Sequence, residues 1–306
     1  MCAYNGMPFI KEAIQSVIEQ SYKNWELIIS DDGSTDGTRE YLSTLSDLRI
    51  RVIFQSKNLG YVKNKNTLHF HANGEYITQL DNDDIYDPYK IEKQVEYVLN
   101  YPEAKLIGTG FRNVDENGAT IKNTSVNAIS IISTPVFCYP FWYPSLLVHT
   151  SVFESVGYYD EYFTGMYGDD IYWTVRANEQ FEIHVIPDIL YSYRYHTSSI
   201  TNTFVNERKL LFRHVLMNLI KQRLETGSDW LEMKNYEAMR NYETEIQANK
   251  HIRSTEYQIL AAKAVDHCKN HYAIKYITKS LLIYPFNIDS YKTIIYLLKN
   301  SIKSWF

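Results

Sequence analysis

Apolar residues in this chain come alternately at helical spacing and in short unbroken runs, and that alternation predicts its organisation. Residues 1–6 read as the end of a strand and its turn. Ile10, Ala13, Ile14, Val17 and Ile18 then share one face of a helix that Pro8 opens. The run at 25–30 is a short strand, 37–45 a helix and 50–55 a further strand. A helix over 61–72 closes at Asn73-Gly74 and leads into a strand at 75–80. Strands alternating with helices of this length imply crossover connections, hence an α/β fold with a mostly parallel sheet flanked by helices.

Beyond Pro88 an amphipathic helix carries Ile91, Val95, Val98 and Leu99, followed by a strand at 104–110. Asp115-Glu116-Asn117-Gly118 is a hairpin turn signal. The aromatic, proline-bearing stretch 135–144 reads as a structured loop, and 151–156 as a short helix stopped by Gly157. A tyrosine-rich loop, 158–167, precedes a helix over 169–178. Near Thr203 strand signals stop, and the rest reads as helices. We therefore expect a catalytic domain at 1–203 and an all-α region at 204–306. Within the latter, 261–298 resembles a tetratricopeptide-type helical pair, a unit that cannot bury its own apolar face alone.

Composition narrows the function. At 306 residues there is room for one large domain and a smaller appendage. A net charge of −5 argues against a general nucleic-acid binder, so substrate phosphate must be met by a few local cations and a metal. Cys2, Cys138 and Cys268 are odd in number and lack C-x-x-C spacing, which points to a reducing compartment and no zinc site. No secretory signal opens the sequence, and no apolar run reaches the roughly 18 residues of a spanning helix. The expected location is the cytoplasm, either free or at the inner face of a membrane. Tyrosine, at 27 residues, is abundant enough to supply flat rings for sugar faces as well as for the core.

Candidate chemistry concentrates in Asp31-Asp32-Gly33-Ser34, Asp81-Asn82-Asp83-Asp84 and Asp169-Asp170. Crowded carboxylates are unfavourable unless a cation or a proton in transit compensates them. The middle group follows the run 76–80, at the carboxyl end of a predicted strand, where open α/β sheets bind ligands. The first group serves equally as a turn and helix cap, or as a carboxylate for a uracil imide N–H or a ribose hydroxyl. A calcium loop over the second group is excluded because Tyr86 stands where glycine is required. Its hard oxygens suit Mg²⁺ or Mn²⁺ bridging to phosphates. Asp169 reads as stabilising a helix N-terminus, and Asp170 as a general base toward a hydroxyl. In Tyr193-Arg194-Tyr195-His196, Arg194 offers a cation to phosphate and His196 a metal ligand, although a strand-end histidine is more often merely exposed or hydrogen-bonded.

Taken in order, Cys2-Ala3-Tyr4-Asn5, Asp31 to Ser34, Asn58-Leu59-Gly60, Asp81 to Asp84, Asp169-Asp170 and Tyr193 to His196 resemble glycosyltransferase family 2. These are inverting nucleotide-sugar transferases of the GT-A fold, and the resemblance covers about residues 1–200. It implies metal-dependent transfer from a nucleoside-diphosphate sugar, with UDP the commonest nucleotide, to a glycan or lipid-linked glycan hydroxyl. The setting it implies is polysaccharide or surface-glycan biosynthesis. It places Ala3, Tyr4 and Asn5 at the base and Asp31 or Asp32 at the nucleoside. Asp81, Asn82 and Asp83 match the D-x-D signature, with Asp81 near ribose and metal and Asp83 on the Mn²⁺ or Mg²⁺. Asp170 matches the catalytic acid of the E-D motif, with Asp169 for the usual glutamate. Lys65 replaces the arginine of the family's A-R-N, a point charge for a bidentate one at the nucleotide. The first strand lacks the family's leading apolar residues, which suggests that Met1 is internal to a longer natural protein.

Other classes fit less well. A nucleotidyltransferase needs a glycine-rich basic loop, and a dinucleotide oxidoreductase needs G-x-G-x-x-G, where this chain has Asn5-Gly6-Met7-Pro8. A non-catalytic scaffold acting through the helical tail is the remaining alternative. In that tail Ile294, Ile295, Leu297, Leu298 and Ile302, with Lys292, Lys299, Lys303, Trp305 and Phe306, form an amphipathic pattern. It suits either a membrane interface or packing on the body of the protein.

Overall fold

The structure is a computed structural model and describes residues 1–196, 199, 207–266 and 270–303, side chains of 300–303 excepted. Two compact units result: Met1–Thr164 with Asp169–Tyr195, and Gly165–Gly168 with the residues from His196 onward. Position 203, where the sequence sets the boundary, lies outside the described residues, as do Cys268, Trp305 and Phe306.

In the first unit, β1 (Cys2–Ala3), β2 (Leu27–Asp31) and β3 (Ile50–Phe54) form a parallel sheet. Helices α1 (Ile10–Ile18), α2 (Thr38–Leu42) and α3 (Tyr61–His69) connect these strands and lead on from them. The α1 stripe behaves as its periodicity predicts. Ile10, Ala13, Ile14 and Val17 are buried in one cluster with Leu27, Ile29 and Leu80. Each such aliphatic side chain contributes roughly 1.5–3 kcal/mol by leaving water.

A second sheet has the order β4 (Tyr76–Thr78), β9 (Leu147–His149), β6 (Leu106–Val114), β10 (Ile183–Arg194), β5 (Ile85–Tyr86). On its flanks β7 (Thr120–Thr124) pairs with β6, and β8 (Ser130–Ile132) with β10. The most extensive pairings, β6 with β10 and β2 with β3, are parallel, whereas the shorter additions are antiparallel. The predicted hairpin turn joins β6 to β7, with Gly118 at φ +85°. Helices α4 (Lys90–Asn100), α5 (Thr150–Val156) and α6 (Asp169–Asn178) complete the unit. Helix α4 departs from its apolar pattern: Leu99 is exposed, while Lys90 and Gln94 are wholly buried. Lys90 Nζ donates to Thr78 Oγ1 and Gln94 Oε1, and Gln94 in turn caps the carbonyls of Ile107 and Ser145.

The second unit holds α7 (Phe212–Thr226), α8 (Tyr236–Ala248), α9 (Lys250–Asp266), α10 (Asn270–Ile283) and α11 (Ile288–Lys303). Its core joins Tyr257, Ala261, Ala264 and Val265 of α9 to Ala273, Tyr276 and Ile277 of α10 and Leu297 of α11. The segment 261–298 thus contains the end of α9, the whole of α10 and most of α11.

Candidate active site

Parallel pairing of β1 with β2, in register Ala3 opposite Asp31, brings two strand ends together. The loops that follow are laced across each other. Asn5 N–H donates to Ser34 Oγ, Gly6 N–H to Thr38 Oγ1, and Thr35 N–H to Asn5 Oδ1, all within 2.9 Å. Ala3 is buried and Tyr4 is 52% exposed, so the tyrosine ring is accessible beside the acidic turn. Gly6 packs closely on the next loop: a Cβ there would meet Asn82 Nδ2 at 2.7 Å, so the Asn82 side chain would have to shift. The residues that the sequence assigns to the nucleotide are therefore neighbours in space, across two loops.

Asp31 and Asp32 divide their work. Asp32 is buried and spends both oxygens on the next loop, accepting from Leu59 N–H at 2.7 Å and Gly60 N–H at 3.1 Å. Burial raises its pKa, while those two amides oppose the shift. Its role is to hold the Asn58-Leu59-Gly60 turn that starts α3. Asp31, also buried, has Arg39 Nη1 3.3 Å from Oδ2, near enough for charge attraction but not aligned as a hydrogen bond. That oxygen makes no hydrogen bond and is closed off from the surface, its charge met by Arg39. Asp32→Ala is expected to cost about 1–3 kcal/mol through the two unsatisfied amides. Asp31→Ala should cost less, because its partner Arg39 is part-exposed and can turn to water. Denaturant melts of the two variants check this division.

Helix α3 carries few apolar residues because its inward positions are polar cross-links. Asn64 bonds Ser30 of β2, and Asn66 pins the backbone of Tyr159 in both directions. Between them Lys65, 3% exposed, reaches Asp169 Oδ2 at 3.2 Å. Its ammonium also lies 3.6 Å from the centre of the Tyr159 ring. Burial by itself lowers the lysine pKa, but Asp169, then Tyr159 and Tyr61, reverse this and hold it well above the usual range. Sequence reading assigned Lys65 to the nucleotide, whereas the structure commits it to Asp169. The Asn-Lys-Asn run inside a helix was the available signal.

Asp169 and Asp170 open α6. Asp169 is buried against Lys65, whereas Asp170 is half-buried and accepts from Ile171 N–H at 2.8 Å. Burial first, and Asp169 second, push the Asp170 carboxyl up to about 6. Asp81 also contributes to that rise, so the loop after β4 and the start of α6 share one electrostatic site. Tyr143 flanks it, its hydroxyl raised above the ordinary phenol range by burial and then by Asp170.

The loop after β4 sorts its own acids. Asp84 is buried, accepting from Tyr191 hydroxyl at 2.7 Å and Arg194 N–H at 2.8 Å. Arg194, 1% exposed, donates Nε to Asp83 O and Nη1 to Glu116 O, and pairs with Glu12. This corrects the assignment of Arg194 to phosphate: it braces the loop from below. Asp81 is half-buried, with Gln79 Nε2 donating to it at 2.8 Å. Burial, then the Asp83 charge, lifts its pKa to about 6. His196 falls in the second unit, whereas these acids belong to the first. In the tyrosine-rich loop, Tyr159 packs against Phe153 and Trp173, and Tyr167 belongs to the second unit.

Among the described residues, no group of three or more His, Cys, Asp and Glu is assembled as a metal site. The Asp81–Asp83 pair nonetheless fits Mg²⁺ or Mn²⁺ completed by substrate phosphates. Such ions take one or two carboxylates and leave the remaining positions to phosphate and water. The mutual repulsion that raises Asp81 is what a bound cation would relieve.

Residues 1–151 match the sequence profile of glycosyl transferase family 2. EpsE of Bacillus subtilis, named as a glycosyltransferase, is 33% identical over 202 residues, covering 63% of this chain and 71% of that protein. WfgD of Escherichia coli is named a UDP-Glc:alpha-D-GlcNAc-diphosphoundecaprenol beta-1,3-glucosyltransferase. It is 28% identical over 158 residues, 47% of this chain and 62% of its own. The crystal structure of S. aureus TarS residues 1–349 with UDP-GlcNAc superposes with a TM-score of 0.59 at 16% identity. That likeness in fold covers 90% of this chain and 87% of the TarS chain.

Proposed function

Because the chain belongs to glycosyltransferase family 2 and is a glycosyltransferase, we propose that it moves a sugar, with inversion, from a UDP-sugar to a hydroxyl of a lipid-linked glycan during surface-polysaccharide synthesis. The observation that carries the mechanism is the unequal fate of two adjacent acids. Lys65 pairs with the buried Asp169, while Asp170 stays half-buried and is held at about 6 by burial and then by the Asp169 charge. A base works best when its pKa lies near the operating pH. Asp170 takes the proton of the acceptor hydroxyl as that oxygen bonds to the anomeric carbon. The bond from that carbon to the diphosphate oxygen breaks on the opposite face, and the electron pair leaves with UDP. The Asn5–Ser34 lacing fixes the two nucleotide loops in one geometry. When bound, a Mn²⁺ or Mg²⁺ ion on Asp83 and Asp81 supplies charge neutralisation for the departing diphosphate.

The UDP-Glc in the name of WfgD supports UDP as the nucleotide, and the TarS complexes show this fold holding UDP-GlcNAc and UDP. No described helix is long and apolar enough to cross a membrane; we place the reaction at the cytoplasmic side, where nucleotide-sugars are made. At about a hundred times its Kd, UDP with Mn²⁺ is expected to add about 2.7 kcal/mol of stability. That corresponds to a Tm rise of roughly 5–10 °C for a unit of this size. Asp83→Asn should lose the metal-dependent part of the rise. Equal shifts with and without Mn²⁺ would remove the metal from the proposal, and no shift with any nucleotide would remove the donor site.

A further inference from the structure

We propose that the α10–α11 face of the second unit docks on an anionic lipid bilayer, its exposed apolar stripe entering the headgroup region while flanking lysines meet lipid phosphates. Helix α11 already has a packed face, since Ser290, Thr293 and Leu297 are buried. On another face Ile288, Tyr291, Ile295 and Leu298 recur at spacings of three and four and are 70%, 48%, 54% and 57% exposed. Packing within the unit does not account for this second apolar stripe. On α10, Ile274 and Leu282 are likewise exposed, and with Ile277, Leu281, Ile294 and Leu297 they line an open groove of about 440 Å³ between the helices. Contiguous exposed apolar surface of this kind marks an interaction site.

Charge selects the occupant. The chain as a whole is −5, yet between Asn270 and Lys299 the charged residues are Lys275, Lys279, Lys292 and Lys299 against Asp289 alone. Lys275, Lys292 and Lys299 are exposed, and each directly follows a residue of the apolar surface: Ile274, Tyr291 and Leu298. The one acid, Asp289, is itself paired with Lys292 at 2.8 Å. An apolar stripe edged by lysine suits the acyl–headgroup boundary of a membrane carrying negative lipid. A second copy of the chain fits less well, because a two-fold interface on this face would set the same lysines against one another. Of the residues that the sequence added to this pattern, Trp305 and Phe306 lie outside the described residues and the side chains of Ile302 and Lys303 are not described. None of the four is used here.

The test is cosedimentation of the full chain with phosphatidylcholine vesicles, with and without phosphatidylglycerol. Binding is expected only with phosphatidylglycerol and should weaken as salt is raised. The double variant Ile295→Glu/Leu298→Glu changes exposed positions, so its Tm should be unchanged while vesicle binding drops at least about tenfold. Lys275→Gln/Lys292→Gln/Lys299→Gln should weaken binding to the anionic vesicles. Equal sedimentation of wild type and the Glu variant overturns the proposal, as does binding indifferent to phosphatidylglycerol or no binding at all. A wild-type dimer in sedimentation velocity that Ile295→Glu disperses would assign the face to a second copy instead. Vesicle binding reads no transfer, so its outcome is independent of the reaction proposed above.

Discussion

Asp170→Asn is expected to lower kcat by about 10²–10⁴-fold, the usual worth of a positioned general base. Donor affinity and Tm should stay close to wild type. Asparagine keeps the oxygen that accepts Ile171 N–H at the start of α6, so the backbone there has no reason to move. What it loses is the ability to take a proton. The wild-type pH profile carries the same claim. Only the ionised carboxylate is a base, and burial with Asp169 nearby sets its pKa at about 6. Transfer should therefore be level above that pH and fall about tenfold per unit below it. The residual activity of the Asn variant should lack that acid limb. Near-normal turnover by Asp170→Asn, or an unchanged acid limb, would remove Asp170 from the base role.

Lys65→Met is expected to be the most destabilising single change at the site, by about 3–5 kcal/mol, because it strands the buried Asp169 charge. For a domain of this size that is a Tm loss of roughly 6–20 °C. The ammonium has three attachments to lose: Asp169, the Tyr159 ring and the Tyr61 ring. The double variant Lys65→Met/Asp169→Asn should recover part of the loss, since no charge is then left unpaired. This is the signature of a buried pair rather than of packing alone. Lys65 also holds the Asp170 pKa down, so a folded Lys65→Met protein should show its acid limb shifted to higher pH. A Tm loss equal in the single and double variants would show that Lys65 acts by filling space.

Much of the layout was legible from local pattern. The α6 bounds, the Gly118 hairpin turn and the buried stripe of α1 agree with periodicity and turn chemistry. Those features depend on residues within a few positions of one another. Helix α4 was misread in part because its inward positions include Lys90 and Gln94, whose partners lie on β4, β6 and the turn at Ser145. Helix α3 was likewise read without its polar inner faces. The antiparallel strands β5, β7, β8 and β9 are short, and brief apolar runs do not announce their direction.

The sequence by itself determined where the acids stand, at strand ends and at a helix start, and the family to which that order belongs. It did not show which groups surround each acid of a cluster. Asp32 is set apart from Asp31 by amides 27 and 28 residues away. Asp84 is set apart from Asp83 by Tyr191 and Arg194, 107 and 110 residues away. Asp169 is set apart from Asp170 by Lys65, 104 residues away. Neighbours in sequence are chemically identical carboxylates until folding gives each its own surroundings. Turns and strand ends are local properties of the chain, whereas the charge state of a buried group is set by whatever the tertiary structure brings within a few ångströms of it.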